Sequence, residues 1–301
     1  MRTAYLGTSE FAATVLRRLA GSPHRPALVV TPPDRRQGRG RKVAPPPAAV
    51  AAGELGLDLL QAENVNEEGA LERIRAARPE AVLVCAFGQL IREPLLSEFP
   101  MLNVHPSLLP RWRGAAPIER AIMARDSTTG VCVMEVTAGL DSGPVAICEE
   151  VAVEPEEDFA GLSARLAELG GELLVRSLDL LAEGALELTE QDEDGVTYAE
   201  KIDAAERRLD PSRQAAELAA NARALNPHVG TYLETRDGGR LGVLQATAVD
   251  EDVAPGRLEA RDGVLLLGCD GGALRLDVVQ PPGGKPMAAD AYLRGHQLPE
   301  L

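Results

Sequence analysis

Aromatic side chains make up only 3% of the chain, so its cores must rest on Leu, Val, Ile and Ala, and a nucleic-acid surface of stacked rings is not expected. The four cysteines, at 85, 132, 148 and 269, form no CxxC pair and no zinc-ligand spacing, and each sits in an apolar run. They read as buried thiols of a cytosolic protein. No apolar stretch approaches the length of a membrane-spanning helix, and the N-terminus runs into a turn at Gly7 without a long apolar signal region. A cytoplasmic protein with no membrane partner is expected. Gly7 also lacks G-x-G-x-x-G companions, which argues against an NAD enzyme.

What is present suits two domains of unequal size: 301 residues, 45% of them hydrophobic, exceed one ordinary core. Over residues 1–183, apolar runs alternate with helical spacing. Strands are predicted near 3–6, 26–31, 57–60, 81–86, 101–104, 130–136 and 144–153, and helices near 11–19, 48–55, 67–77, 115–125 and 158–182. The pattern is that of an α/β, Rossmann-like domain with a mostly parallel sheet, the continuous apolar runs being strands buried on both faces. Residues 184–206 turn to Glu, Asp, Gly and Thr without sustained periodicity and read as a linker. A helix over 211–225 follows. Short strands separated by turns such as Asp237-Gly238-Gly239 and Asp270-Gly271-Gly272 then predict a smaller, OB-like β-barrel domain over 207–301.

The formal net charge of −15 argues globally against a nucleic-acid partner. That inference fails locally. Arg35, Arg36, Arg39, Arg41 and Lys42 stand against Asp34 alone, a net +4 in nine residues that leaves −19 for the remainder. Gly38 and Gly40 loosen the stretch and Pro45-Pro46-Pro47 stiffens its exit, so an exposed, mobile basic loop is expected. A charge run is usually a solvated face, and arginine is abundant throughout, 28 against 3 lysines.

The chemistry concentrates in residues 103–110, Asn-Val-His-Pro-Ser-Leu-Leu-Pro, and the turn Gly139-Leu140-Asp141-Ser142-Gly143. The amide of Asn103 can donate to a developing oxyanion, the imidazole of His105 can carry a proton near neutral pH, and the carboxylate of Asp141 can orient it. The same residue types also describe a hydrogen-bonded structural histidine. The stiff Pro106-Ser107-Leu108-Leu109-Pro110 loop at the C-terminal end of a strand favours a site, because open α/β sheets place ligands there.

The Asn-x-His-x-Ser-Leu-Leu-Pro segment followed by a Leu-Asp-x-Gly turn resembles the folate-dependent formyltransferases. Gly7-Thr8-Ser9-Glu10-Phe11-Ala12, Pro110-Arg111-Trp112-Arg113-Gly114-Ala115-Ala116-Pro117-Ile118, Thr197-Tyr198-Ala199-Glu200-Lys201 and Arg223-Ala224-Leu225-Asn226-Pro227 resemble the members that act on methionyl-tRNA, over nearly the whole chain. The departures are Pro106, Ser142 and Pro144 of the acidic turn, and His228 where Trp is frequent. The resemblance implies transfer of a formyl group from 10-formyltetrahydrofolate, as co-substrate and without a metal, to the α-amine of methionyl initiator tRNA. It also implies that Asn103, His105 and Asp141 are catalytic; a monomer is expected. Phe87, Gly88, Gln89, Leu90, Ile91, Ser107, Leu108, Leu109 and Pro110, with the 138–143 turn, would form the folate pocket, and Arg35, Arg36, Arg39, Arg41 and Lys42 would meet the tRNA. A related formyltransferase acting on a sugar nucleotide or another amine, a formyl-folate hydrolase and a catalytically silent tRNA-binding protein are the alternatives. The basic loop and the appended barrel argue against the first, and the complete Asn, His and Asp set against the last.

Overall fold

In the computed structural model, which describes residues 1–37 and 42–301, the first apolar run forms β1 (Thr3–Gly7), wholly buried, and leads into α1 (Glu10–Ala20). Ser9 caps this helix, its Oγ accepting from the Ala12 N–H at 3.3 Å. Glycine is required where strand meets helix, because a Cβ on Gly7 would lie 2.7 Å from Tyr5 Cε1 and 2.9 Å from Ala12 Cβ. The chain continues through β2 (Pro26–Thr31), β3 (Arg35–Gln37), β4 (Lys42–Ala44), α2 (Pro47–Glu54), β5 (Leu59–Gln61), α3 (Glu68–Ala76), β6 (Ala81–Cys85), α4 (Leu95–Glu98), β7 (Met101–His105) and β8 (Arg113–Gly114). Then come α5 (Pro117–Met123), β9 (Thr128–Glu135), β10 (Val145–Ala152), α6 (Phe159–Glu183) and β11 (Tyr198–Ala199).

Two units emerge. The first comprises Met1–Gly114, Thr128–Ala152 and Ser163–Tyr198, and the second Ala115–Ser127, Val153–Leu162 and Ala199–Leu301. The sheet of the first unit has the order β10-β9-β7-β6-β1-β2-β5. Its β5, β2, β1, β6 and β7 are parallel, while β9 and β10 return antiparallel. Leu6, Leu28, Val30, Ile74, Val82 and Phe87 share one core on this sheet. From β1 the chain builds outward through β2 to β5, then crosses to β6 on the other side of β1. That reversal is the kind of switch point beyond which open α/β sheets hold ligands. Thr8 Oγ1 donates to the Phe87 carbonyl at 2.7 Å, joining the two loops that leave it.

The second unit adds α7 (Ala215–Leu225), β12 (Thr231–Glu234), β13 (Arg240–Val249), β14 (Leu258–Arg261), β15 (Val264–Cys269), β16 (Gly272–Gln280), β17 (Met287–Ala288) and α8 (Ala289–Gly295). The strands form an antiparallel sheet, β12-β13-β16-β15-β14, with β17 on β16. Leu218 and Ala222 of α7 and Tyr292 of α8 share its apolar core with Leu241, Leu265 and Leu274. His228 behaves as an aromatic in this unit: its ring stacks on Phe159 at 3.7 Å, and Nε2 lies 3.0 Å from Glu119 Oε1.

Three sequence expectations change. The basic stretch is not wholly a loop, because β3 and β4 pair antiparallel, with Arg35 opposite Ala44 and Arg36 opposite Val43. Cationic alternation hides such a ribbon. Residues 184–206, read as a linker, include Thr189, which exchanges both backbone bonds with Val145 at 2.7 and 2.9 Å. The thiol reading is corrected for two of the four cysteines. Cys132 and Cys148 face each other across β9 and β10, with Cα atoms 4.1 Å apart, and are joined by a disulfide; Cys148 is exposed. Sheet register, which spacing in sequence does not reveal, brings them together. No helix of the described residues is long and apolar enough to cross a membrane.

Cys85 and Cys269 are free and buried, and burial pushes their thiols up to about 12 and about 11. At pH 8 the thiolate of Cys85 is then about one part in ten thousand. Iodoacetamide should leave both unmodified in the native protein and modify both after unfolding, as peptide mass analysis would read; rapid native labelling at either would contradict the assignment. In the second unit, hydrogen bonding from Arg120 holds the Glu206 carboxyl below its ordinary value of 4.5. The stability this adds is complete above that unfolded value and is lost as pH falls through the folded one. Glu206→Gln should cost about 1 kcal/mol at pH 7 and nothing in acid below both values, measured by urea denaturation at each pH.

Candidate active site

Asn103 and His105 lie two residues apart on β7 and therefore on one face of the sheet. Asn103 pairs with Val84 of β6 and Met134 of β9, and His105, the last residue of the strand, is opposite Cys132. The Asn103 side-chain amide makes no hydrogen bond among the described residues. The imidazole of His105 is buried, and its Nε2 lies 2.9 Å from the carbonyl oxygen of Trp112. A carbonyl only accepts, so the proton resides on Nε2 and the lone pair of the neutral ring on Nδ1. Nδ1 faces Asp141 Oδ2 at 3.7 Å. That distance is beyond a hydrogen bond.

The loop after β7 is stiffened by its own groups. Ser107 is buried, and its Oγ donates to the Arg111 carbonyl at 2.6 Å. The Arg111 guanidinium lies 4.3 Å from the centre of the Trp112 ring. Trp112 holds a left-handed backbone, φ +63°, which aims its carbonyl at His105 while its N–H donates to Thr197 Oγ1 at 2.9 Å. Two residues on, the Gly114 N–H donates to Asp141 Oδ2 at 2.9 Å. Asp141 is itself left-handed, φ +45°, an unusual state for a non-glycine residue that persists only where surroundings enforce it. Its turn is closed on the far side, where a Cβ on Gly143 would run into the Glu135 carbonyl and Pro144 accepts from the Glu135 N–H at 2.9 Å.

The three residues read as catalytic are thus brought together: His105 and Asp141 face each other, and Asn103 lies on the same face of β7. The residues read as a folate pocket divide. Phe87 is buried in the core, and the Gln89 amide is engaged by the Val65 N–H at 2.8 Å and the Ala62 carbonyl at 2.9 Å, so both side chains fix the loop. Ile91 packs partly on the same core, Gly88 is exposed at φ +77°, and Leu90 is 65% exposed. Leu108 packs close to Gly130, the Leu109 N–H points at Cys132 Sγ, and Pro110 is half-buried. Leu140, beside Asp141, is 62% exposed. Of the five cations read as an RNA contact, Arg35, Arg36 and Lys42 are exposed, and Arg39 and Arg41 lie outside the described residues.

Sequence reasoning missed the scaffold. The groups that hold His105 and Asp141 are main-chain atoms of residues 112 and 114, which no residue type announces. Thr197 and Gln191 sit in the stretch read as a linker, where the one available signal was a scatter of uncharged polar residues among acids.

Comparison with known proteins follows the same two-part division. A formyl transferase family model matches residues 1–178, and a model of the formyl transferase C-terminal domain matches residues 201–297. The methionyl-tRNA formyltransferase of Methylobacillus flagellatus is 41% identical over 301 residues, covering 99% of this chain and 97% of its own. That of Methylococcus capsulatus is 42% identical over 302 residues, covering 99% and 98%. Among solved structures, HypX from Aquifex aeolicus in complex with tetrahydrofolic acid shares the fold, with a TM-score of 0.67 at 17% identity over 97% of this chain and 47% of that one. Matched in both parts by these family models, and along its length by named relatives, the chain belongs to the formyl transferase family.

Proposed function

We propose that the chain transfers a formyl group from 10-formyltetrahydrofolate to the α-amino group of methionyl initiator tRNA, supplying the initiator for translation in the cytoplasm. The observation that carries this reading is the facing pair of His105 Nδ1 and Asp141 Oδ2 at 3.7 Å, beside an Asn103 amide with no partner among the described residues. The name shared by relatives covering 99% of the chain supports the choice of substrates. The residues fit the folate: Leu90 and Leu140 are exposed apolar side chains on loops of the first unit, suited to the faces of a pterin whose edge needs polar partners.

10-Formyltetrahydrofolate supplies the formyl carbon, which gains a bond to the amine nitrogen and loses its bond to the folate nitrogen. Asn103 donates from its side-chain amide to the formyl oxygen as negative charge builds there, and loss of one such donor typically costs roughly 100- to 1000-fold in rate. His105 has its Nε2–H committed to Trp112, so Nδ1 is the atom that takes the proton released by the amine. Asp141 stabilises the imidazolium so formed, and Nδ1 returns the proton toward the departing folate nitrogen.

The exposed cations Arg35, Arg36 and Lys42, with Arg39 and Arg41, are the part of this acidic chain suited to phosphates. The second unit, in this reading, orients the tRNA.

His105→Ala should lower single-turnover formylation of methionyl-tRNA by roughly 100- to 10,000-fold while urea unfolding stays cooperative; a rate near that of the unsubstituted protein overturns the assignment. Arg39→Ala should raise the methionyl-tRNA concentration needed for half-maximal rate and reduce the slope of log affinity against log salt by about one. Folate binding should not change, and an unchanged salt slope removes Arg39 from the tRNA contact.

A further inference from the structure

The turn that carries Asp141 is gripped by a side chain from a distant part of the chain. Gln191 Nε2 donates both of its hydrogens into the turn, to the carbonyl of Asp141 at 2.9 Å and to the carbonyl of Gly143 at 2.7 Å. Its Oε1 accepts from Arg113 Nε at 2.9 Å, and Arg113 is buried. The orientation of this amide is unambiguous, because exchanging its oxygen and nitrogen would set an acceptor against two carbonyls and a donor against a guanidinium. Arg113 lies between Trp112, whose carbonyl holds His105, and Gly114, whose N–H holds the Asp141 carboxylate. One brace therefore connects the main chain of Asp141 to the segment that positions both reacting side chains. Thr189, two residues before Gln191, anchors the brace by its paired bonds with Val145, and the Thr197 carbonyl accepts from the Arg113 N–H at 2.9 Å on the other side.

We propose that Gln191, held by Arg113, is a positioning residue for the formyl transfer: it keeps Asp141 in its left-handed backbone so that Oδ2 stays opposite His105 Nδ1. The inference rests on the catalytic reading of Asp141 given above. It follows from where the bonds go. Gln191 touches the backbone of Asp141, not its carboxylate, and so acts on the direction of that carboxylate rather than on its charge. Two donated hydrogen bonds to carbonyls two residues apart fix the carbonyl directions of a turn that a non-glycine residue at φ +45° would otherwise leave.

The test uses Gln191→Glu, which keeps the acceptor for Arg113 and removes the donors to Asp141 and Gly143, and Gln191→Met, of similar volume with neither. Each is made alone and in an Asp141→Asn background. Single-turnover formylation, KM for 10-formyltetrahydrofolate and the midpoint of urea unfolding are measured for all. The expected result is a fall of roughly 10- to 100-fold in the rate of the chemical step, as for other groups that orient a reacting side chain, with folate KM unchanged. In the Asp141→Asn background the same substitutions should change the rate by less than about twofold, because a brace that works only through the carboxylate has nothing left to position. Gln191→Met carries the test should Gln191→Glu fail to fold. Losses that multiply in the double variants, or a rise in KM with an unchanged rate, overturn the proposal and leave Gln191 a structural residue. An Asp141→Asn variant with normal turnover overturns the catalytic reading of Asp141 itself and the brace with it. A crippled Asp141→Asn beside a normal Gln191→Glu overturns the brace alone.

Discussion

The carbonyl of Trp112 and the N–H of Gly114 hold the two ionisable groups of the site, one through His105 Nε2 and the other through Asp141 Oδ2. Everything else about the site depends on where this short piece of main chain runs. The strand that carries His105 is embedded in a sheet, whereas the Asp141 turn projects from the end of another strand, so rigid elements alone do not fix their separation. The two peptide groups that flank Arg113 bridge the difference. They also specify chemistry: the acceptor fixes which ring nitrogen bears the proton, and the donor fixes which carboxylate oxygen looks at the ring.

The parallel sheet supplies a second constraint of a different kind. Because the chain builds outward from β1 in one direction and then restarts at β6, the loops at Thr8 and Phe87 leave adjacent strand ends and are joined by a hydrogen bond. Leu90, which follows Phe87 by three residues, is left exposed.

Much of this was legible in sequence, and what was not had physical reasons. The strand at Ala81–Cys85 reads directly, since a strand buried on both faces must be apolar throughout. Asn103, His105 and Asp141 read from their local motifs. Nothing in residue type reveals that Trp112 contributes a carbonyl rather than a ring. Gln191 and Thr197 were hidden because their partners lie 50 and 85 residues away and because an acid-rich stretch looks like solvent-facing linker. The Arg35–Gln37 strand was obscured by its charge, and the Cys132 and Cys148 pairing by its origin in sheet register. In these cases a pairing, local for the Arg35–Gln37 strand and long-range for the others, overrode a composition that local reasoning had assigned to loop, linker or buried thiol.

The left-handed conformation of Trp112 has a consequence for how this protein tolerates genetic change. The atom that holds His105 belongs to the backbone, so no codon change at position 112 deletes it, although a residue that cannot hold a left-handed backbone there would turn it away. Only the backbone angle matters, and that angle is enforced by neighbours such as Thr197. A change in the setting of the His105 ring can therefore arise far from it, through substitutions that leave Asn103, His105 and Asp141 in place and merely let one peptide plane rotate.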